Sequence, residues 1–352
     1  MTLIMPKTQF KTKASSLGGM TLIELLTVIF LGSLLLSMVF LLYNNSSRSY
    51  IRQEAVMEQI LNLRGGLSGI SRQVRMAGNG FALLGRNQNQ VIHLYTKDEE
   101  GKAVSWFKYP GAAQYGAKPI YGVDGGESGT DSITVFSLAP DFATPLGTLA
   151  APVTASSVYI TLDNVLVIPT ELNKAEVLKA GNYLALVPPT GEPILVEAQS
   201  DATNLSRIDI KKMPSPLPNS ISAIPEGSQV FNVKSVSLRT FRIDATENYL
   251  LMDSNEVTGD LMAESIEDLE VAYCLGADDP SDLTKYVYDL DGQDLLARPV
   301  KAVRLVLVSR SPTPDPYKGQ FSGIPALNHT VVAGNDGRPR RFFENTVQLR
   351  NY

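Results

Sequence analysis

Residues 20–43 read MTLIELLTVIFLGSLLLSMVFLLY, an apolar run broken by one charged residue, Glu24. At 1.5 Å per residue, about 20 apolar residues in a helix span the ~30 Å hydrocarbon core of a bilayer. The run is longer than the roughly 7–15 residues of a secretory signal's apolar stretch and lacks an Ala-x-Ala exit, which argues against removal by signal peptidase. Lys7, Lys11 and Lys13 precede it with no acid before Glu24, which holds the N-terminus inside. An ordinary anchor accounts for length and orientation but leaves Glu24 unexplained. An ionised side chain within a membrane helix costs on the order of 2.5–3.5 kcal/mol at mid-bilayer, so the carboxylate calls for a partner. An ion pair desolvated between two helices loses heavily when either member is removed, so it can fix their register.

Working outward, the helix is predicted to continue past the membrane. Val56, Ile60, Leu63, Leu67, Ile70 and Val74 recur at spacings of three and four, with Arg52, Glu54, Glu58, Arg64 and Arg72 between them. This is an amphipathic stripe suited to packing on a soluble head. Gly65, Gly66 and Gly69 weaken the helix by up to about 1 kcal/mol each relative to alanine, and mark either a flexible point or close approach to a sheet.

Beyond Gly78 the pattern changes to short β-rich runs separated by Gly, Pro, Asn and Asp. Strands are predicted at Ser132–Leu138, Ser157–Leu162, Tyr183–Val187, Ile194–Ala198, Val230–Arg242, Leu269–Tyr273, Val300–Ser309 and Thr346–Arg350, and short helices at Leu172–Ala180 and Gly259–Asp268. Segment 140–228, rich in proline and small residues, reads as an inserted β subdomain. The fold class expected is α+β: a long N-terminal helix, with a transmembrane half (20–43) and an amphipathic half (44–78), on an antiparallel β-sheet head (79–139 and 229–352).

Gly18-Gly19-Met20-Thr21-Leu22-Ile23-Glu24 resembles the prepilin signature of the type IV pilin superfamily. The resemblance implies that residues 1–19 are a leader, that prepilin peptidase cuts between Gly19 and Met20, and that Met20 is then N-methylated. Met20 stands where that superfamily usually has Phe. It further implies that Thr21, Leu22, Ile23 and Glu24 form the assembly segment, with Glu24 pairing to a neighbouring subunit's amino terminus. Downstream, Ile70–Gly78, Gly129–Val135, Ser265–Tyr273, Val300–Arg310 and Arg340–Asn351 resemble stretches of PilW-type minor pilins, in that family's order. The implied partners are prepilin peptidase, other minor and major pilins, the inner-membrane assembly platform and the membrane lipid. The implied role is fibre assembly or initiation at the tip, because a head of nearly 280 residues would crowd a shaft. A J-type pseudopilin of type II secretion shares the layout and remains open, as does an anchored periplasmic adhesin or enzyme acting through 140–228.

Other chemistry is poorly supplied. The net charge is −5, which gives no reason to expect nucleic acid, and Arg338, Arg340 and Arg341 read as a solvated loop end. No His-Glu-x-x-His, Gly-x-Ser-x-Gly or phosphate-loop motif is present among the 352 residues, so no catalytic residue and no cofactor are expected. His93 reads as a strand residue and His329 as a loop residue. Asp278, Asp279, Asp282, Asp289, Asp291 and Asp294 lack the glycine and glutamate spacing of a calcium loop, so the tract reads as a solvated turn and no metal is expected. The single cysteine, Cys274, excludes an internal disulfide and reads as buried and inert.

Overall fold

The computed structural model describes residues 21–84, 91–97, 100, 102–108, 116–125, 129–140, 145–163, 165, 178–201, 206–218, 221–255, 258–290, 293, 298–312, 314, 324–325, 330–331 and 337–349. The chain divides into two compact units, Met1–Ala55 and Val56–Tyr352. One α-helix, α1, runs Leu22–Arg75. It passes Gly65, Gly66 and Gly69 without a break, because packing outweighs the propensity cost of the three glycines.

The rest of the described chain is β. Strands β1 (Tyr95–Lys97) and β2 (Ala103–Trp106) form a hairpin. A ten-stranded antiparallel sheet holds β3 (Ile120–Val123), β4 (Ser132–Pro140), β5 (Gly147–Leu149), β6 (Tyr159–Asp163), β7 (Tyr183–Val187), β8 (Ile194–Glu197), β9 (Arg207–Asp209), β10 (Gln229–Asp244), β11 (Tyr249–Ser254) and β12 (Asp260–Ala263). β10 is its hub. Gln229–Val233 pair with β7, Val233–Phe241 with β4 and Arg239–Asp244 with β11. A second antiparallel sheet has the order β14 (Tyr286–Val287), β13 (Ile266–Leu275), β15 (Val300–Arg310) and β18 (Arg340–Gln348), while β16 (Ile324–Pro325) and β17 (Thr330–Val331) pair with each other.

Period-two alternation sends alternate side chains of each strand to different cores. On β13, Leu269, Val271, Tyr273 and Leu275 join Leu63, Leu67, Ile70 and Val74 of α1, with Ala272 and Cys274 on the opposite face beside Tyr286 and Ala302. On β4, Ile133 and Val135 face the helix core, and Phe136 and Leu138 face a separate core with Phe81, Phe231 and Val233. A third cluster lies within the 140–228 segment and also takes Tyr95, Trp106 and Val230 from outside it. That segment's strands bond into the head's own sheet through β10. The fold is α+β, as expected: one long, apolar N-terminal helix and a large antiparallel β region.

The expected helix at Gly259–Asp268 is corrected: Asp260–Ala263 is strand β12, paired with β11. Gly259 and Ser265 hold positive φ of 73° and 60° at its ends, and pairing overrides the helical preference of Leu261, Met262, Ala263 and Glu264. The last strand begins at Arg340 rather than Thr346. Most of the expected helix at Leu172–Ala180 lies outside the described residues.

Candidate functional site

Thr21 and Glu24 close the start of α1 on each other. The Thr21 backbone N–H and hydroxyl both donate to Glu24 Oε2 at 3.3 Å, and the Glu24 N–H donates to Thr21 Oγ1 at 3.4 Å. The Leu25 N–H donates to the Thr21 carbonyl at 3.2 Å. This Thr-x-x-Glu arrangement is a capping box, which satisfies amides that the first helical turn leaves open and sets a carboxylate at the positive end of the helix. Glu24, Leu22 and Ile23 are exposed in the subunit.

Apolar side chains all round the helix from Leu22 to Tyr43 are exposed, including Phe30, Leu36, Phe40 and Leu42. The hydroxyls of the span are satisfied within it: Thr27 donates to the Ile23 and Glu24 carbonyls, Ser33 to Phe30 and Ser37 to Ser33, at 2.8 to 3.0 Å. In hydrocarbon an unsatisfied hydroxyl would be costly, so these back-bonds suit the segment to lipid or to other apolar helices. Among the described residues this is the one helix long and apolar enough to cross a membrane.

Within the second unit, Val56 and Ile60 are half-buried, whereas Leu63, Ile70 and Val74 have no exposure and Leu67 is 8 % exposed. Full burial of such a side chain contributes about 1.5–3 kcal/mol. The seat also has a polar side that the apolar stripe did not reveal. Gln59 is buried and donates from Nε2 to the Pro339 carbonyl at 3.2 Å, and the buried Ser71 hydroxyl receives Asn345 Nδ2 at 2.9 Å. Gln59, Leu63, Leu67 and Ser71 follow at spacings of four, so the periodicity that found the leucines also marks these two. A Cβ at Gly66 would lie 2.8 Å from Leu250 Cδ2 and 3.4 Å from both Ala263 and Leu307, so of the two readings of the glycine cluster, Gly66 shows close approach to the sheets.

The remaining candidates are structural in their surroundings. His93 is fully buried, with Nε2 2.6 Å from Glu192 Oε2 and its ring edge-on to Trp106. Buried Glu197, which sequence reading missed, takes Lys211 at 2.8 Å and also Lys97, while its own N–H donates to the Tyr95 hydroxyl. Burial pushes the Tyr95 phenol well up. Asp278 pairs with Arg298 at 2.6 Å. Asp279 accepts from the Ser281 amide, and Asp282 from the Thr284 hydroxyl and amide, and those bonds hold both carboxyls below the usual range. The arginine cluster is not one surface patch: the Arg340 side chain is 2 % exposed and bidentate on Glu267 at 2.6 and 2.9 Å. Cys274 is buried, and burial pushes its thiol up. Gly18, Gly19, Met20, His329, Asp291 and Asp294 lie outside the described residues.

The described chain combines a long apolar N-terminal helix with a large antiparallel β region. Residues 233–351 match the family model described as Type IV Pilus-assembly protein W, which with that helix supports a type IV pilin-related role. Among solved structures, a type IV-like pilin from Thermus thermophilus is 15% identical, with 50% of this chain and 90% of that one covered and a TM-score of 0.24, too slight a likeness to place any element. Comparison with curated proteins gives no match.

Proposed function

We propose that this chain is a non-enzymatic, PilW-type minor pilin that helps to start or cap a type IV fibre. The observation that carries the reading is the match of residues 233–351 to the PilW family in a chain whose apolar helix opens on Glu24. In this proposal the chain enters the inner membrane with its N-terminus inside and its head in the periplasm. Prepilin peptidase then cuts after Gly19, and Met20 is methylated. The freed amine and the Glu24 carboxylate of neighbouring subunits pair as the helices pack, with the assembly platform extracting the subunit from lipid. Glu24 exchanges its capping contact with Thr21 for the intersubunit one, so the box keeps the carboxylate satisfied until a partner arrives.

The test is the intact mass of the protein from membranes of cells with and without prepilin peptidase. A peptidase-dependent loss of residues 1–19 with one added methyl on Met20 is expected. An unprocessed chain in both strains would overturn the reading and leave a plain anchor. Deletion of the gene is expected to reduce surface fibres; loss of protein secretion with fibres intact would assign the chain to a secretion system instead.

A further inference from the structure

Asp131 joins the two sheets. It sits immediately before β4, and its backbone N–H donates to the Leu269 carbonyl on β13 at 2.8 Å. Its carboxyl, in a residue only 2 % exposed, accepts the Val271 N–H at Oδ2 (2.8 Å) and the Gly125 N–H at Oδ1 (3.0 Å). One side chain therefore ties β13 of the four-stranded sheet to the chain leaving β3 and entering β4 of the ten-stranded one. The backbone closes tightly there: a Cβ at Gly125 would lie 2.5 Å from the Gly129 carbonyl carbon and 2.7 Å from the Thr130 nitrogen, so only glycine fits.

The surroundings favour a neutral Asp131. Asp124, at the end of β3, and Asp268, on β13, both act on it, and Tyr273 of β13 lies close, itself under the influence of Asp124, Asp289 and Tyr121. These named neighbours are acids or tyrosines. The Tyr273 hydroxyl is buried without a hydrogen-bond partner and gives the carboxylate no donor. Two amide donors favour the ionised form, but burial first, and then the neighbouring carboxylates, outweigh them and push Asp131 up to about 7.

We propose that Asp131 is a proton-operated clamp between the two sheets: neutral, it holds β13 against the backbone at Gly125, and ionised, it is driven apart from Asp124 and Asp268 and the joint loosens. A carboxyl whose folded value is raised stabilises the fold fully below the ordinary carboxylate range, and that contribution disappears as pH rises through about 7. The joint is therefore tighter in mildly acidic surroundings than in mildly alkaline ones.

Amide hydrogen exchange of the full chain in detergent, at pH 5.5 and 8.5 with the intrinsic rate divided out, tests this. Protection of the Gly125 and Val271 amides is expected to fall at least about tenfold more than that of Val303 and Leu305 on β15, and Asp131→Asn should remove the difference. Protection that is independent of pH in the wild type, or equally dependent on it in Asp131→Asn, would overturn the proposal. Asp124→Asn, at a half-buried position, guards against a variant that does not fold: removing the carboxylate that raises Asp131 lets the clamp ionise at lower pH, so the midpoint of the loss should move to lower pH and its size should shrink. A midpoint that stays put or rises would sink the role of the acidic neighbours.

Discussion

Glu24 is a single carboxylate with two possible partners, and the difference between them sets what its loss should do. Within the subunit it accepts from Thr21, a capping contact whose removal costs about 1 kcal/mol. In a fibre, its loss would leave a neighbour's ammonium group unpaired in an apolar bundle, at a cost of about 3–5 kcal/mol. Glu24→Ala is therefore expected to be inserted and processed normally yet be missing from sheared, purified fibres, as read by immunoblot; wild-type amounts there would remove the pairing argument. The glycines of α1 divide as sharply. At Gly65 an added Cβ meets nothing within 4 Å, so Gly65→Ala should gain up to about 1 kcal/mol from helix propensity alone. At Gly66 the added atoms must displace Leu250, so Gly66→Val should cost about 1–3 kcal/mol. Thermal melts that move in opposite directions for the two variants would bear this out, and equal shifts would show that the helix is less closely seated than its contacts indicate.

Between elements, the Arg340–Glu267 pair spans from β18 to β13 across the intervening β15. Arg340 is nearly enclosed while Glu267 keeps some exposure, so the stranded charge in Arg340→Ala should cost about 3 kcal/mol, at the low end for a broken buried pair. Arg340→Lys should recover only part of this, because an ammonium cannot donate in the planar two-bond fork; chemical denaturation of the two variants checks it. This pair also shows where sequence reading stopped. Arg338, Arg340 and Arg341 look like a loop end because Glu267 is 73 residues away from Arg340, and nothing local announces the bond. The same charges hid the first half of β18. In contrast, β4, β7, β13 and β15 were legible from period two or from compact apolar runs, and Leu63, Leu67, Ile70 and Val74 from the helical period, because burial acts on every residue of a face. Asp131 was visible only as part of a motif, since its role depends on β13 arriving from well over a hundred residues later.

For the whole molecule, all four apolar clusters are built from residues of the Val56–Tyr352 unit, and no described residue of Met1–Ala55 enters any of them. Stability of the head and attachment to lipid therefore rest on different parts of one chain. A chain that starts at Arg48 keeps Gln59, Gly66, Ser71 and the buried stripe, and loses the apolar girth that water would have to cover. It is expected to stay in the supernatant after high-speed centrifugation and to melt cooperatively, within a few degrees of the head in the full chain. The full chain should remain with membranes through alkaline carbonate washing, because an apolar helix of about 20 residues inserts with an affinity that removal of surface charge does not reverse. Release of the full chain by carbonate would contradict a spanning helix. A truncated chain that melts far below the full one would instead mean that residues before Arg48 help to hold the head, which the placement of the four cores gives no reason to expect.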